Sequence, residues 1–257
     1  MSKTKLFLPE GGVSTKHKCQ VLILCLVLPL LEGVNCFAGQ YYPLEEGIKW
    51  EYQTFQRNLK GIGTERFNWG RTALAPRILL DKKVVPLQYG NGALKFIIED
   101  DIGTGLYAHQ GIKDTGPNFF QPTDYFLKYP LKIGVMRQVK GITKFLKHPV
   151  SVDKTETIET LTDVVTVPAG TFENCIRIKS YGKTTVSFEG PFRAIAHVEV
   201  EGVDWYAPNI GWIKGILTEK SNDLQLGWPG HQMIHQLIKF TNTLNTSNHS
   251  ASIKIVD

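Results

Sequence analysis

Cysteine is scarce in this chain of 257 residues: there are four, and Cys19, Cys25 and Cys36 lie near its beginning. Once a leader that contains those three is removed, Cys175 is the only thiol left, so the mature chain can form no internal disulfide bond. No His and no helix start stands nearby in the sequence to activate that thiol. We therefore interpret Cys175 as a small, partly buried hydrophobic residue rather than a reactive one.

An excess of one charge is also lacking. The whole chain has a net charge of +5, and removing residues 1–38 takes away four Lys and two Glu, which leaves +3. A nucleic-acid-binding domain is expected to cluster its Lys and Arg residues, whereas the two signs are interleaved here. The sequence therefore predicts no nucleic-acid partner.

Motifs of the common enzyme classes are missing as well. The chain has no G-x-S-x-G elbow, no P-loop and no G-x-G-x-x-G run that leads into a helix. The nearest approach to a metal motif is His231-Gln-Met-Ile-His235, in which a zinc protease would need Glu at the second position to activate water. Gln232 stands there instead, so we interpret His231 and His235 as weak metal-ligand candidates and predict no cofactor. A hydrolase or metal-dependent enzyme that uses this region is the alternative.

The first 38 residues are typical of a signal peptide. Basic residues precede an apolar run, Val21–Leu31, and no charge follows until Glu32. The run is shorter than the roughly 20 residues that a membrane-spanning helix needs. We therefore expect a protein exported to the periplasm or cell envelope that touches the membrane only through its signal or a lipid anchor.

Two kinds of N-terminal processing fit the sequence. Small residues allow a cut after Ala38 or Gly39, while Cys36 is a candidate for lipid modification. The preceding residues 32–35 lack the Leu and the small residues that usually come before a lipid-modified cysteine. The pattern favours an ordinary cut over a lipoprotein.

Short alternating segments, punctuated by Gly, Pro and Asn, fill the chain from residue 39 to residue 243. Ile48, Trp50 and Tyr52, for example, share one face of a strand whose other face is polar. No long amphipathic helix interrupts the pattern, so we predict a mainly β fold: one antiparallel, curved domain, barrel-like, half-barrel or sandwich, with few helices. Residues 244–257 are polar and are predicted to form a C-terminal tail.

The clearest local prediction is a hairpin centred on Pro168 and Gly170, whose backbone preferences suit a tight turn. Its second strand alternates so that Phe172, Asn174, Ile176 and Ile178 share one face, and Cys175 falls on the other.

Residues 114–130 lack any period and are rich in aromatic residues. We interpret them as a loop packed across the core, with a lid over a pocket as the alternative.

Four segments resemble a group of exported bacterial envelope proteins of unknown function, described as TapB-like or DUF-type. They are YYPLEEGIKWEY, PLKIG, VTVPAGTFENCIRIK and DWYAPNIGWIKG. The chain departs from that pattern at Val135-Met136, where the group often has an aromatic residue. The resemblance implies a curved antiparallel β domain in the cell envelope and supplies no catalytic residues.

These observations favour a non-enzymatic binding or structural module with a hydrophobic groove. We predict that the groove holds an apolar ligand or a segment of another envelope protein. A purely structural assembly protein is a further alternative. The predicted lining residues are Trp50, Tyr52, Phe172 and Ile178.

Overall fold

The computed structural model describes residues 41–60, 63–144, 149–188, 194–221 and 230–242. The predicted signal peptide, the lipidation candidate Cys36 and the predicted tail at residues 244–257 lie outside the described residues.

Within this part of the chain every regular element is a β-strand, and all ladders are antiparallel. The thirteen strands are β1 Lys49–Asn58, β2 Thr64–Ala73, β3 Arg77–Leu79, β4 Lys82–Tyr89, β5 Leu94–Asp100, β6 Gly103–Gln110, β7 Asn118–Lys128, β8 Met136–Ile142, β9 Ser151–Val167, β10 Gly170–Phe188, β11 Ala194–Ala207, β12 Gly211–Ser221 and β13 His231–Thr241. The predicted mainly β, antiparallel, curved fold is confirmed.

The sheet consists of two meanders joined in the middle. Its strand order is β7-β6-β5-β4-β2-β1-β13-β12-β11-β10-β9-β8, with β3 paired to β4 at the side. The ladder between β1 and β13 connects the first half of the chain with the second. The sheet curls into a nearly closed, barrel-like shape, so β7 and β8, which follow one another in sequence, lie at its two edges.

A side chain bridges the two edges where no backbone ladder does. Arg137 of β8 pairs with Glu156 of the neighbouring β9. The same guanidinium also donates to the backbone carbonyl oxygens of Tyr125 and Phe126 on β7, the second through Nη2 at 2.7 Å. Arg137 therefore links β9, β8 and β7, and we call this cluster the Arg137 seam.

The core lies on the concave face of the sheet. Its largest fully buried side chains include two aromatic residues of β1, Trp50 and Tyr52. Trp50 Nε1 donates to the carbonyl oxygen of Ile210 at 2.6 Å, and the Tyr52 hydroxyl donates to that of Trp212 at 2.7 Å. Because β13 lies between β1 and β12, these bonds reach across a strand and fix the curvature locally.

The hairpin forms as predicted, but its alternation does not hold. Pro168 and Ala169 make the turn, and Gly170 has φ of 137°. Asn174 has φ of 54°, and the pairing with β9 is irregular between Phe172 and Cys175. Cys175 and Ile176 are consequently both buried. The prediction that Cys175 faces away from Ile176 is therefore wrong, because a left-handed residue shifts the strand by one position.

Residues 114–130 differ from the predicted loop. Most of them form the edge strand β7, which pairs with β6 through two register shifts. A strand with one neighbour and two irregularities has no simple two-residue period, so its sequence does not show the alternation that an ordinary strand has.

The segment that contains His231 and His235 is the strand β13. It pairs with both β1 and β12 and is thus a central strand of the sheet.

Candidate functional site

The concave side of the sheet encloses an open cavity of about 860 Å³. Its walls come from strands on both halves of the sheet, including β2, β4 and β6 on one side and β11, β12 and β13 on the other. Curling of the sheet is therefore what creates the space. Its aromatic lining consists of Tyr42, Phe67, Trp69, Tyr89, Phe126, Tyr206 and Trp212.

A second cavity of about 850 Å³ adjoins the first. The two share four lining residues: Asp124, Asp204, Trp212 and His235. A ligand that enters the first cavity would meet these polar groups at its inner end.

Strand register brings Asp204 and His235 together. Asp204 pairs with Gly215 on β12, and Gly215 pairs with His235 on β13. Directly paired residues of an antiparallel sheet point to the same side, so this row faces the cavity. A Cβ atom at position 215 would lie 2.3 Å from Trp212 Cζ2 and 2.8 Å from Asp204 Oδ1, which explains why glycine stands there.

His235 is held as a neutral ring. Burial lowers the pKa of His235 to about 4, and the charge of Lys144 acts in the same direction. Its Nδ1 lies 2.7 Å from the Thr54 hydroxyl, which accepts a bond from Trp69 Nε1 at 2.9 Å. With that hydroxyl donating to Nδ1, the ring proton lies on Nε2.

The pKa of Asp204 is shifted in the opposite direction. Burial raises the pKa of Asp204 to about 6, although the hydrogen bond from Trp212 Nε1 at 2.7 Å opposes the shift. A carboxyl group and a neutral imidazole of one row therefore both titrate in mildly acidic solution.

Arg71 of β2 forms the other polar feature of the cavity. Its guanidinium carbon lies 5.1 to 5.5 Å from the ring centres of Tyr42, Trp50 and Tyr52. Nη2 donates to the Tyr52 hydroxyl at 2.9 Å. Three rings thus cage a permanent positive charge at the cavity wall.

None of the four predicted groove residues is among those that line the cavity. Trp50, Tyr52 and Ile178 are buried in the main core, and Phe172 is partly buried against it. Trp50 and Tyr52 support the wall through the backbone bonds and ring contacts described above. That these residues bind a ligand directly stays a prediction.

The two histidines do not meet. Both lie on β13, where four residues span about 13 Å at the usual rise per residue, too far for one metal ion. His235 lines the cavity, whereas His231 pairs with Asn58 and Glu219 at the other end of the strand. In the described part of the chain no group of three or more His, Cys, Asp or Glu side chains is placed to hold a metal ion.

The thiol of Cys175 is fully buried. Burial raises the pKa of Cys175 to about 11, and the charge of Asp163 raises it further. The interpretation of this residue as a core residue agrees with that environment.

Sequence reasoning missed Trp69, Arg71, Asp204 and Trp212. A signal for the first two was present, because residues 69 and 71 alternate onto one face of β2. Asp204 and Trp212 carried no such signal, since their place in the cavity depends on register across β11, β12 and β13.

Fold and site together define an all-β protein whose curved sheet encloses an aromatic cavity. No protein-family model matches the chain, and no curated protein is significantly similar to it. Among solved structures it is similar to a protein from Parabacteroides distasonis described as a "putative lipoprotein", at 17% identity and a TM-score of 0.37, over 79% of this chain and 99% of that one. None of the described segments forms a helix long and apolar enough to cross a membrane. The resemblance to TapB-like or DUF-type envelope proteins stays a prediction.

Proposed function

We propose that this protein is an exported cell-envelope protein that binds a small amphipathic ligand in the aromatic cavity, without carrying out a reaction on it. The observation that carries this proposal is the cavity itself: about 860 Å³, lined by seven aromatic, three aliphatic and seven polar or charged side chains. Ligand pockets typically enclose about 300–1,000 Å³ and combine apolar and aromatic walls with polar groups that orient the ligand.

The state of the polar groups favours binding over catalysis. The Thr54 hydroxyl is engaged by both Trp69 and His235, and it is fully buried. The carboxyl group of Asp204 accepts a bond from Trp212. The Thr54 hydroxyl donates to the imidazole of His235, but Thr54 does not line the cavity, so a bound ligand would not meet this hydroxyl.

Binding is tested with the neutral fluorophore N-phenylnaphthylamine, whose emission rises in an apolar site. We expect saturable binding to the wild-type protein. Gly90 lines the cavity and has nothing within 4 Å of its Cβ position, so Gly90→Phe adds bulk there without a clash at Cβ. This variant should lose most of the signal.

The matched control is Gly116→Phe, because Gly116 also has nothing within 4 Å of its Cβ position and lies outside the cavity lining. It should bind like the wild type. Absence of saturable binding, or equal binding by both variants, would contradict the proposal. Mass spectrometry of the natively purified protein would also identify a ligand carried along.

Export is tested separately by mass spectrometry of the mature N-terminus from envelope fractions. A cut after Ala38 or Gly39 supports an ordinary signal peptide, and an acylated Cys36 supports a lipid anchor. An intact Met1 in the envelope fraction contradicts processing of either kind.

A further inference from the structure

Arg71 is a buried cation without an anion. Its side chain is only 8% exposed, and within the described ranges no carboxylate forms an ion pair with it. Buried charges are normally paired, because removing an ion from water is costly. Among the described residues, none therefore supplies the anion that a buried arginine is expected to pair with.

The guanidinium also has donor capacity to spare. It carries five N–H groups; Nη2 donates to the Tyr52 hydroxyl, and Tyr42 and Tyr89 also form side-chain hydrogen bonds with the guanidinium. Nε is buried and has no hydrogen-bond partner among the described residues. The residues around the guanidinium therefore leave part of its hydrogen-bonding capacity unused.

A second cation faces the same part of the cavity. Lys95 of β5 lines it, with Nζ 5.5 Å from the centre of the Tyr89 ring. Burial alone would raise the pKa of Tyr89, but the charges of Arg71 and Lys95 outweigh that effect and lower it. The region around Arg71, Tyr89 and Lys95 is thus electropositive, and we call it the cationic end.

The acidic lining residues come from other strands. Asp124 belongs to β7 and Asp204 to β11, and both also line the second cavity. Arg71, Tyr89 and Lys95 belong to β2, β4 and β5, and none of them lines the second cavity. The acidic and the cationic lining residues therefore come from different strands of the cavity wall.

We propose that the ligand is an amphipathic carboxylate, whose anionic head binds Arg71 at the cationic end and whose apolar chain lies along the aromatic walls. Guanidinium and carboxylate match each other in charge and in bidentate geometry, and Arg71 lines the cavity. This inference rests on the proposed binding function and names its ligand class.

The experiment compares dodecanoate with dodecanol, which has the same chain and no charge, by titration calorimetry at neutral pH. Wild-type protein should bind the acid at least about tenfold more tightly, the factor that about 1.4 kcal/mol supplies. The comparison needs no mutation and so does not depend on a variant that folds.

Two variants locate the preference. Arg71→Met should weaken dodecanoate binding to the level of dodecanol, and Lys95→Gln should reduce the preference in part. The control is Arg66→Met, because Arg66 lies on the same strand, is exposed and contacts Phe55 outside the cavity lining. It should behave like the wild type.

The failures are distinguishable. If neither compound binds, both the proposed function and this inference fail. If both bind equally well to the wild type, or if Arg71→Met weakens both to the same extent, the cavity binds amphipathic molecules but the carboxylate assignment is wrong.

Discussion

Replacing Arg137 by Met should open the barrel-like sheet at its edges. The guanidinium holds two backbone carbonyl groups of β7 and the carboxylate of Glu156, and both members of the ion pair are only 15% exposed. A hydrogen bond to a charged group contributes about 1.5 kcal/mol at the low end, so the two carbonyl bonds alone account for about 3 kcal/mol. Loss of the partner of Glu156 adds to this cost, and we expect the free energy of unfolding to fall by about 3 to 5 kcal/mol.

Urea denaturation measures this change. Arg137→Lys should lose an intermediate amount, because one ammonium group cannot reach Glu156 and both carbonyl groups together. The control is Lys220→Met, which removes an exposed ion pair in which Lys220 Nζ lies 3.2 Å from Glu201 and should change little.

Hydrogen exchange tests whether the effect is local. In Arg137→Met the amides of β7 and β8 should exchange faster, whereas those of β1 and β13 should keep their protection. A loss of stability below about 1 kcal/mol, or faster exchange spread evenly over the sheet, would refute the role of the Arg137 seam.

Two further predictions concern the cavity row. The pKa of Asp204 is raised to about 6, so the contribution of Asp204 to stability is lost as pH rises from about 4 to 6. The pKa of His235 is lowered to about 4, so the contribution of His235 to stability is lost as pH falls from about 6.5 to 4. Compared with the wild type, Asp204→Asn should lose more stability on acidification, and His235→Gln should lose more on alkalinisation. Chemical denaturation at several pH values checks this, and parallel profiles for all three proteins would contradict it. Gly215→Ala should lower the free energy of unfolding by about 1 to 3 kcal/mol, because the new methyl group meets the Trp212 ring. The control is Gly116→Ala, and equal stability of the two variants would show that the row is not tightly packed.

Strand positions were the most predictable part of the fold. The alternation around Trp50 and the turn at Pro168 identify β1 and the hairpin because local geometry determines both. The strand in residues 114–130 was not predicted, since an irregular edge strand has no two-residue period. The prediction put Cys175 on the wrong face of its strand, since nothing in the sequence indicates that Asn174 adopts a left-handed conformation.

The cavity was less predictable than the strands. The sequence predicts inward aromatic residues on β1, and Trp50 and Tyr52 are buried in the main core. The lining side chains Asp204 and His235 are separated by two ladders, and Trp69 and Trp212 come from opposite halves of the chain. Such neighbours follow from register and curvature, which are properties of the whole sheet.

The strand order divides the molecule into two pieces of chain. Apart from the β1–β13 ladder, every ladder of the described sheet lies within β1–β7 or within β8–β13. The connection between β7 and β8 passes through Lys132 and Ile133, which are exposed and belong to no ladder. A polypeptide cut at that point would keep all its backbone pairing, so the protein is suited to reconstitution from two separately produced fragments, each of which carries one wall of the cavity.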